Sequence, residues 1–186
     1  MDGVIYTFST AWGWVGAAVG PRGLCASSLP KSSRQEALHA LLRQCPGARE
    51  GSTPLLEDLC ERLRHYFLGQ RISFLDPLLD TSVATDFELR VWEAVRHIPF
   101  GETRTYGWVA ARVGSPLAAR AVGRAMAMNP LPIIIPCHRV VGHKGQLTGF
   151  GGGLAMKRRL LDMEAKAGDS ASAGCLPGFD GSRITC

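Results

Sequence analysis

No stretch of the sequence approaches the roughly 20 consecutive apolar residues that a membrane-spanning helix requires, so no membrane partner is expected. A basic segment leading into an unbroken apolar one is also missing: the chain starts with Asp2 and alternating strand-like residues, and no secretory signal is expected. Cysteine spacing excludes a further class. Cys25, Cys45, Cys60, Cys137, Cys175 and Cys186 lie scattered, with no CxxC pair and no histidines at zinc-finger spacing, which points to free thiols in a reducing compartment, the cytoplasm. Acidic residues are scarce in one region: residues 81–168 carry twelve Lys/Arg against six Asp/Glu, while residues 1–80 carry eight of each. That basic segment suits a polyanionic partner, although an excess of this size is also compatible with ordinary solvated surface.

What is present is enough for a core. At 186 residues and 46% hydrophobic content the chain can form one ordinary domain or two small ones. Val4–Ser9, Trp14–Val19 and Leu24–Leu29 are short β-prone runs separated by turn residues, and they predict an antiparallel meander. Ser33 is placed to cap a helix through about Gln44, and Pro46 to Ser52 reads as a loop. Thr53-Pro54 starts a second helix that buries Leu55, Leu56, Leu59, Leu63 and Phe67 and stops at Gly69. Residues 1–80 thus read as a small α+β scaffold domain without a catalytic constellation, and 75–82, with Asp76-Pro77, as a linker.

Beyond it the pattern turns helical. Thr85 and Glu88 form a capping box before Phe87, Val91, Val95 and Ile98 at helical spacing, and Pro99-Phe100-Gly101 stops that helix. Thr105 caps a helix to Val113, Gly114 breaks it, and Ser115-Pro116 is expected to start another running to about Met128. The pair is a helix-turn-helix candidate, an arrangement also common in domains that never touch DNA. Its second helix is slim, with Ala118, Ala119, Ala121 and Ala125, and Arg120 and Arg124 stand one turn apart, so it can approach a groove closely. Ile133–Ile135 is a buried run delivering Cys137, His138 and Arg139; a loop with six glycines in residues 142–153 follows, then a helix over about 154–166 and a Ser/Ala/Gly/Asp-rich tail, 169–186, expected to be disordered.

Cys137 is the thiol with the strongest claim to reactivity. It follows a proline at the end of an apolar run and precedes His138 and Arg139, and a nearby base or positive charge raises a thiol's thiolate fraction. Burial as an inert cysteine is the competing reading. Neighbours in a regular strand face opposite ways, so Cys137 and His138 must sit in a turn or communicate through a water, and Glu164 is available to orient the imidazole.

Around this thiol a specific resemblance emerges. Asn129-Pro-Leu-Pro-Ile-Ile-Ile-Pro-Cys137-His-Arg-Val-Val resembles the active-site signature of the O6-alkylguanine-DNA alkyltransferases, the methylated-DNA–protein-cysteine methyltransferases. Further matches stand in the same order: Tyr66-Phe-x-x-Gln-Arg, Phe87-x-x-x-Val-Trp92, Ile98-Pro-Phe-Gly-Glu-Thr-Arg-Thr-Tyr106, Ala119-Arg-Ala-Val-Gly123 and Phe150-Gly-Gly-Gly153-Leu-x-x-Lys157. Close similarity covers about 85–166. The resemblance implies an α+β fold, with a small ribonuclease H-like domain (1–80) joined to a helical, winged-helix-like DNA-binding domain (81–168). It implies direct-reversal repair of double-stranded DNA bearing O6-alkylguanine, and possible action on O4-alkylthymine, by single-turnover transfer to Cys137, from a monomer that needs no metal or organic cofactor.

Residue by residue, the resemblance makes Cys137 the alkyl acceptor, His138 its base through a water, Glu164 the orienting carboxylate and Asn129 the brace of the thiol's turn. Tyr106 would help extrude the nucleotide and hydrogen-bond the flipped base, Arg120 would fill its place in the stack, and Ala121 would admit the helix to the minor groove, with Arg124 and Thr105 also on the DNA side. Backbone groups of Cys137 and Val140 would read the guanine edge, and Met126, Pro132, Phe150, Gly151 and Gly152 would shape the pocket. Without that context, Arg120 reads equally as a solvated arginine and Tyr106 as a core aromatic. Two departures from the family pattern stand out: Ala127 and Met128 replace a basic residue and a glycine of some relatives, and no early Cys/His zinc cluster is found. The small Gly152 predicts tolerance of groups larger than methyl. Two rival readings are a lesion-recognition module that binds without repair, which would lack the acceptor cysteine, and a multiple-turnover thiol hydrolase, whose papain-like local signature is missing.

Overall fold

The computed structural model describes residues 3–80 and 82–172 and has a mixed α+β architecture. Three strands, β1 (Val4–Thr10), β2 (Gly13–Gly20) and β3 (Gly23–Ser27), form the expected antiparallel meander. Helix α1 (Arg34–Gln44) begins at Ser33, whose side chain accepts from the Glu36 N–H. The expected loop after it contains a two-residue strand, β4 (Arg49–Glu50), which pairs in parallel with β1 and completes the order β3-β2-β1-β4. Both of its residues are charged and exposed, so it carries no apolar alternation that would mark it in the sequence. Helix α2 (Pro54–Phe67) is capped by Thr53 and buries Leu56, Leu59, Leu63, Tyr66 and Phe67.

The segment expected to be a linker is stitched to β3: Leu24 donates to Leu78 O and Asp80 donates back to Leu24 O, at 2.9 and 2.7 Å. Helix α3 (Asp86–Arg96) has both halves of the Thr85/Glu88 capping box. It is followed by β5 (Arg104–Thr105), α4 (Tyr106–Arg112), α5 (Ala119–Ala127), β6 (Val140–Val141) and α6 (Gly153–Ser172). Helix α5 starts three residues later than Ser115-Pro116 predicted. Ser115 is used in a separate turn, its carbonyl accepting from Ala118 N–H at 2.8 Å, and this turn leaves Leu117 fully exposed. At the other end α6 continues to Ser172, correcting the expectation of disorder from 169 onward: the run is alanine-rich, and one glycine costs a helix only about 1 kcal/mol. The rest of the expected tail, 173–186, with Cys175 and Cys186, lies outside the described residues, as does Asp2.

A continuous apolar core joins the two halves, with Phe8, Leu24, Leu63 and Tyr66 from the first and Val91, Trp92, Ile98, Val122 and Leu160 from the second. Ser27 fixes the seam: its N–H donates to Pro130 O at 2.9 Å and its hydroxyl to Pro132 O at 3.0 Å. The sheet therefore buttresses the loop that leads to Cys137. No helix among the described residues is long and apolar enough to cross a membrane.

Candidate active site

Asn129 ends the segment after α5 and organises the turn that carries the thiol. Its side-chain oxygen accepts from Leu131 N–H at 2.9 Å, while its amide nitrogen donates to Ile135 O at 2.9 Å and to Cys137 Sγ at 3.2 Å. Between them the chain makes a tight turn rather than a strand, with Ile133 at φ 76°, a strained value for a β-branched residue. Cys137–Arg139 then forms one turn of 3₁₀ helix, which resolves the strand geometry problem for Cys137 and His138. Immediately after it, β6 pairs in parallel with β5, Arg104 opposite Val140 and Thr105 opposite Val141. This short ladder brings Tyr106, the first residue of α4, beside the thiol; Thr105 Oγ1 caps that helix by accepting from Trp108 N–H at 3.1 Å.

A pocket of about 510 Å³ opens onto Cys137, which is itself 7% exposed. Its walls include Tyr106, Gly123, Met126, Ala127, Phe150 and Gly151. Of the residues predicted to shape it, Met126, Phe150 and Gly151 line it; Pro132, Val140 and Gly152 do not. The Pro132 carbonyl is tied to the sheet, accepting from the Ser27 hydroxyl. Val140 is fully buried in β6, and its carbonyl accepts from Lys157 Nζ at 2.6 Å. A Cβ on Gly152 would lie 2.5 Å from Leu29 Cδ1 and 3.0 Å from the Phe150 ring, so this glycine lets the loop sit against β3's end and behind a pocket wall. Arg120 and Arg124 stand exposed on α5 with Ala121 half-buried between them.

Behind the thiol lies a buried polar network. Glu164 on α6 accepts from His138 Nε2 at 2.9 Å, from the Tyr66 hydroxyl at 2.6 Å and from Gly101 N–H at 3.0 Å. Arg139 grips both carboxylate oxygens, Nη2 to Oε1 and Nε to Oε2, each at 2.9 Å, and sends Nη1 to Ile98 O at 2.7 Å. Gly101 reaches its place at φ 82°, a conformation that favours glycine. Burial pushes the Glu164 carboxyl up, but the hydrogen bond from His138 and the hydrogen bonds and charge of Arg139 outweigh it and hold the group well below the usual carboxylate range. His138 is held below the ordinary imidazole value by burial, with Arg139 and Lys157 adding to the effect against Glu164. It is therefore a neutral ring with Nε2 turned to Glu164, and its Nδ1 has no hydrogen-bond partner among the described residues.

Cys137 differs from its expectation. Burial raises its thiol above the ordinary value; the Asn129 amide, the charge of Lys157 and backbone N–H groups work in the other direction. The cation acting on the sulfur is thus Lys157 on α6 and not the adjacent Arg139, whose guanidinium turns to Glu164. Lys157 is buried, donating to Val140 O and, at 2.9 Å, to Thr148 O, with Nζ 5.8 Å from the Tyr106 ring centre. Sequence reasoning assigned no role to Tyr66, Gly101, Arg139 or Lys157 in this network; each stood in a quoted family motif, which was the available signal. No group of three or more His, Cys, Asp or Glu that could hold a metal occurs among the described residues.

The chain is similar to known proteins. The family model for the DNA-binding domain of 6-O-methylguanine DNA methyltransferase matches residues 86–166. A methylated-DNA–protein-cysteine methyltransferase of Mycobacterium bovis is 50% identical over 119 residues, 64% of this chain and 67% of that protein. The crystal structure of Mycobacterium tuberculosis OGT in complex with DNA superposes with a TM-score of 0.73 at 37% identity, over 88% of this chain and 94% of that one. O6-methylguanine-DNA methyltransferase from Pyrococcus kodakaraensis gives a TM-score of 0.63 at 26% identity, over 87% and 98%. A thiol held by Asn129 at the floor of a pocket, backed by His138 and Glu164, thus sits in a chain that belongs to the methylated-DNA–protein-cysteine methyltransferase family.

Proposed function

We propose that this protein repairs DNA by direct reversal, transferring the alkyl group of O6-alkylguanine to Cys137 in a single irreversible step. The observation that carries the reading is the pocket over Cys137, of a size typical of small-molecule sites, walled by Tyr106, Met126 and Phe150 and bordered by the arginine-bearing helix α5. A base inside a duplex is out of reach of a thiol on a pocket floor, so the nucleotide is flipped out: Arg120 takes its place in the stack, Ala121 lets α5 approach the minor groove, and Tyr106 contacts the extruded base. Arg124 and the N-terminus of α4 at Thr105 meet the backbone. The α4-turn-α5 pair beside the β5–β6 ladder supports a winged-helix-like second domain (81–168), and the β-meander with α1 and α2 a ribonuclease H-like first one (1–80).

In the reaction the Cys137 proton passes through a water to His138 Nδ1, and Glu164, paired with Arg139, steadies the ring. The sulfur attacks the alkyl carbon, the carbon–O6 bond breaks with its electron pair moving to the purine, and guanine leaves once it takes a proton from water, the proton held by His138 being returned to solvent. A thioether has no good leaving group, so the protein acts once. The guanine edge meets the carbonyls of Cys137 and Val140, each already accepting one hydrogen bond and each with a second lone pair. The protein acts as a monomer in the cytoplasm. Incubation with duplex DNA containing radiolabelled O6-methylguanine tests the reading: label moves to Cys137 in a ratio of one per protein and is absent in Cys137→Ala. Continued turnover, or binding to the lesion with no transfer, would refute it in favour of a hydrolase or a recognition module.

A further inference from the structure

Tyr66 lies on α2, in the half of the chain that holds none of the groups assigned to the reaction, yet its hydroxyl is part of the site. It is fully buried, donates to Glu164 Oε1 at 2.6 Å and stands 3.2 Å from His138 Nε2, which is itself 2.9 Å from the same oxygen. Its ring is fixed edge-on among Phe67, Phe74 and Phe100, with centres 5.3, 6.0 and 6.0 Å away. A phenylalanine would fill that space equally well, so the hydroxyl is the feature that needs a reason.

An ionised carboxylate only accepts hydrogen bonds, so the Tyr66 O–H and the His138 Nε2–H both point at Oε1. The phenol oxygen then turns lone pairs, not a proton, towards Nε2. A proton on Nε2 is favoured and Nδ1 is left free to act as the base. A further donor on Glu164 also spreads its negative charge and weakens its pull on a protonated ring.

We infer that Tyr66 is a positioning residue for alkyl transfer: its hydroxyl holds His138 in the Nε2–H tautomer and limits how strongly Glu164 stabilises the imidazolium. This rests on the reading of Cys137 as acceptor and His138 as base. The charged and titratable groups that act on the ring are Tyr66 from α2, Glu164 and Lys157 from α6, and Cys137 and Arg139 from its own turn. Only Tyr66 comes from the first half of the chain, so residues 1–80 are more than a scaffold.

The test is the rate of methyl transfer from O6-methylguanine duplex DNA, measured from about pH 5 to about pH 9 in the wild-type protein and in Tyr66→Phe, which keeps the ring contacts. The variant should move the acidic limb up by about half a pH unit, slowing transfer on that limb by up to about 3-fold while leaving the alkaline plateau nearly unchanged. A profile that superposes on the wild type, or drops evenly with its limb unmoved, overturns the proposal. Nitrogen NMR of the His138 side chain decides it separately: the wild-type protein should carry its proton on Nε2, and a proton on Nδ1 overturns the inference even if the variant fails to fold. Wild-type protein that transfers no methyl at any pH would remove the repair reading, with the tautomer still deciding the part played by Tyr66.

Discussion

Arg139 and Glu164 form a bidentate ion pair whose members are almost completely buried, Nη2 and Nε meeting Oε1 and Oε2 at 2.9 Å each. The pairing settles the charge state around the thiol. With the carboxylate neutralised by a guanidinium, His138 stays uncharged, and in the proposed reaction the positive charge it gains with the thiol's proton is matched by the negative sulfur. An unpaired glutamate in the same place would favour the imidazolium and leave less of the ring free to accept a proton.

Removing one side of such a pair leaves a buried charge. Arg139→Ala should therefore destabilise the protein by about 3–5 kcal/mol, read as a fall in the unfolding midpoint, and should raise the pH at which transfer is lost. A midpoint within a degree or two of wild type would contradict this account.

Stability should fall on acidification in two stages. His138 binds its proton less readily folded than unfolded, so stability is lost as pH drops below about 6.5; Glu164, held low in the fold, adds a second loss as pH falls below about 4.5. Urea titrations across this range should show both, with the lower stage largely missing in Glu164→Gln.

Lys157→Met should slow alkylation of Cys137 by iodoacetamide by about 10-fold at neutral pH, because the cation that favours the thiolate is gone. Cys25 and Cys60, both pushed up to about 12 mainly by burial, should react far more slowly than Cys137 in the wild-type protein, as peptide mapping would show. Equal labelling of the three would argue against an activated Cys137.

Gly152→Ala should discriminate between adducts. The new methyl group meets Leu29 and the Phe150 ring, and Phe150 lines the pocket; a ring displaced into that space should slow benzyl transfer several-fold more than methyl transfer. Equal effects on both would place Phe150 outside the specificity determinants.

Arg124→Ala should weaken DNA affinity and lower the slope of log affinity against log salt by about 1, whatever the lesion. Arg120→Ala should instead slow transfer from duplex far more than from single-stranded DNA, where no stack needs filling. Gel-shift titrations and single-turnover assays separate the two.

Much of the fold was readable from local signals. Ser33, Thr53, Thr85 and Thr105 mark helix starts because a cap is a contact between residues two or three apart, and all four cap their helices. Ser115 misled because its backbone carbonyl closes a separate turn and α5 begins after it without a side-chain cap. Cys137 and His138 were named from their dipeptide, Glu164 as a carboxylate available on the last helix and Asn129 from the family resemblance, and the four stand together in the structure.

The sequence by itself determined the helices and the meander and singled out Cys137 as the candidate nucleophile, since these follow from short-range periodicity, caps and a contiguous motif. Only the tertiary structure decided that Arg139 serves Glu164 while Lys157 serves Cys137, that Gly152 faces Leu29, and that Tyr66 joins His138. Adjacent residues in a 3₁₀ turn diverge by about a third of a turn, and contacts such as Tyr66 to Glu164 depend on how α2 and α6 cross, which no local pattern encodes.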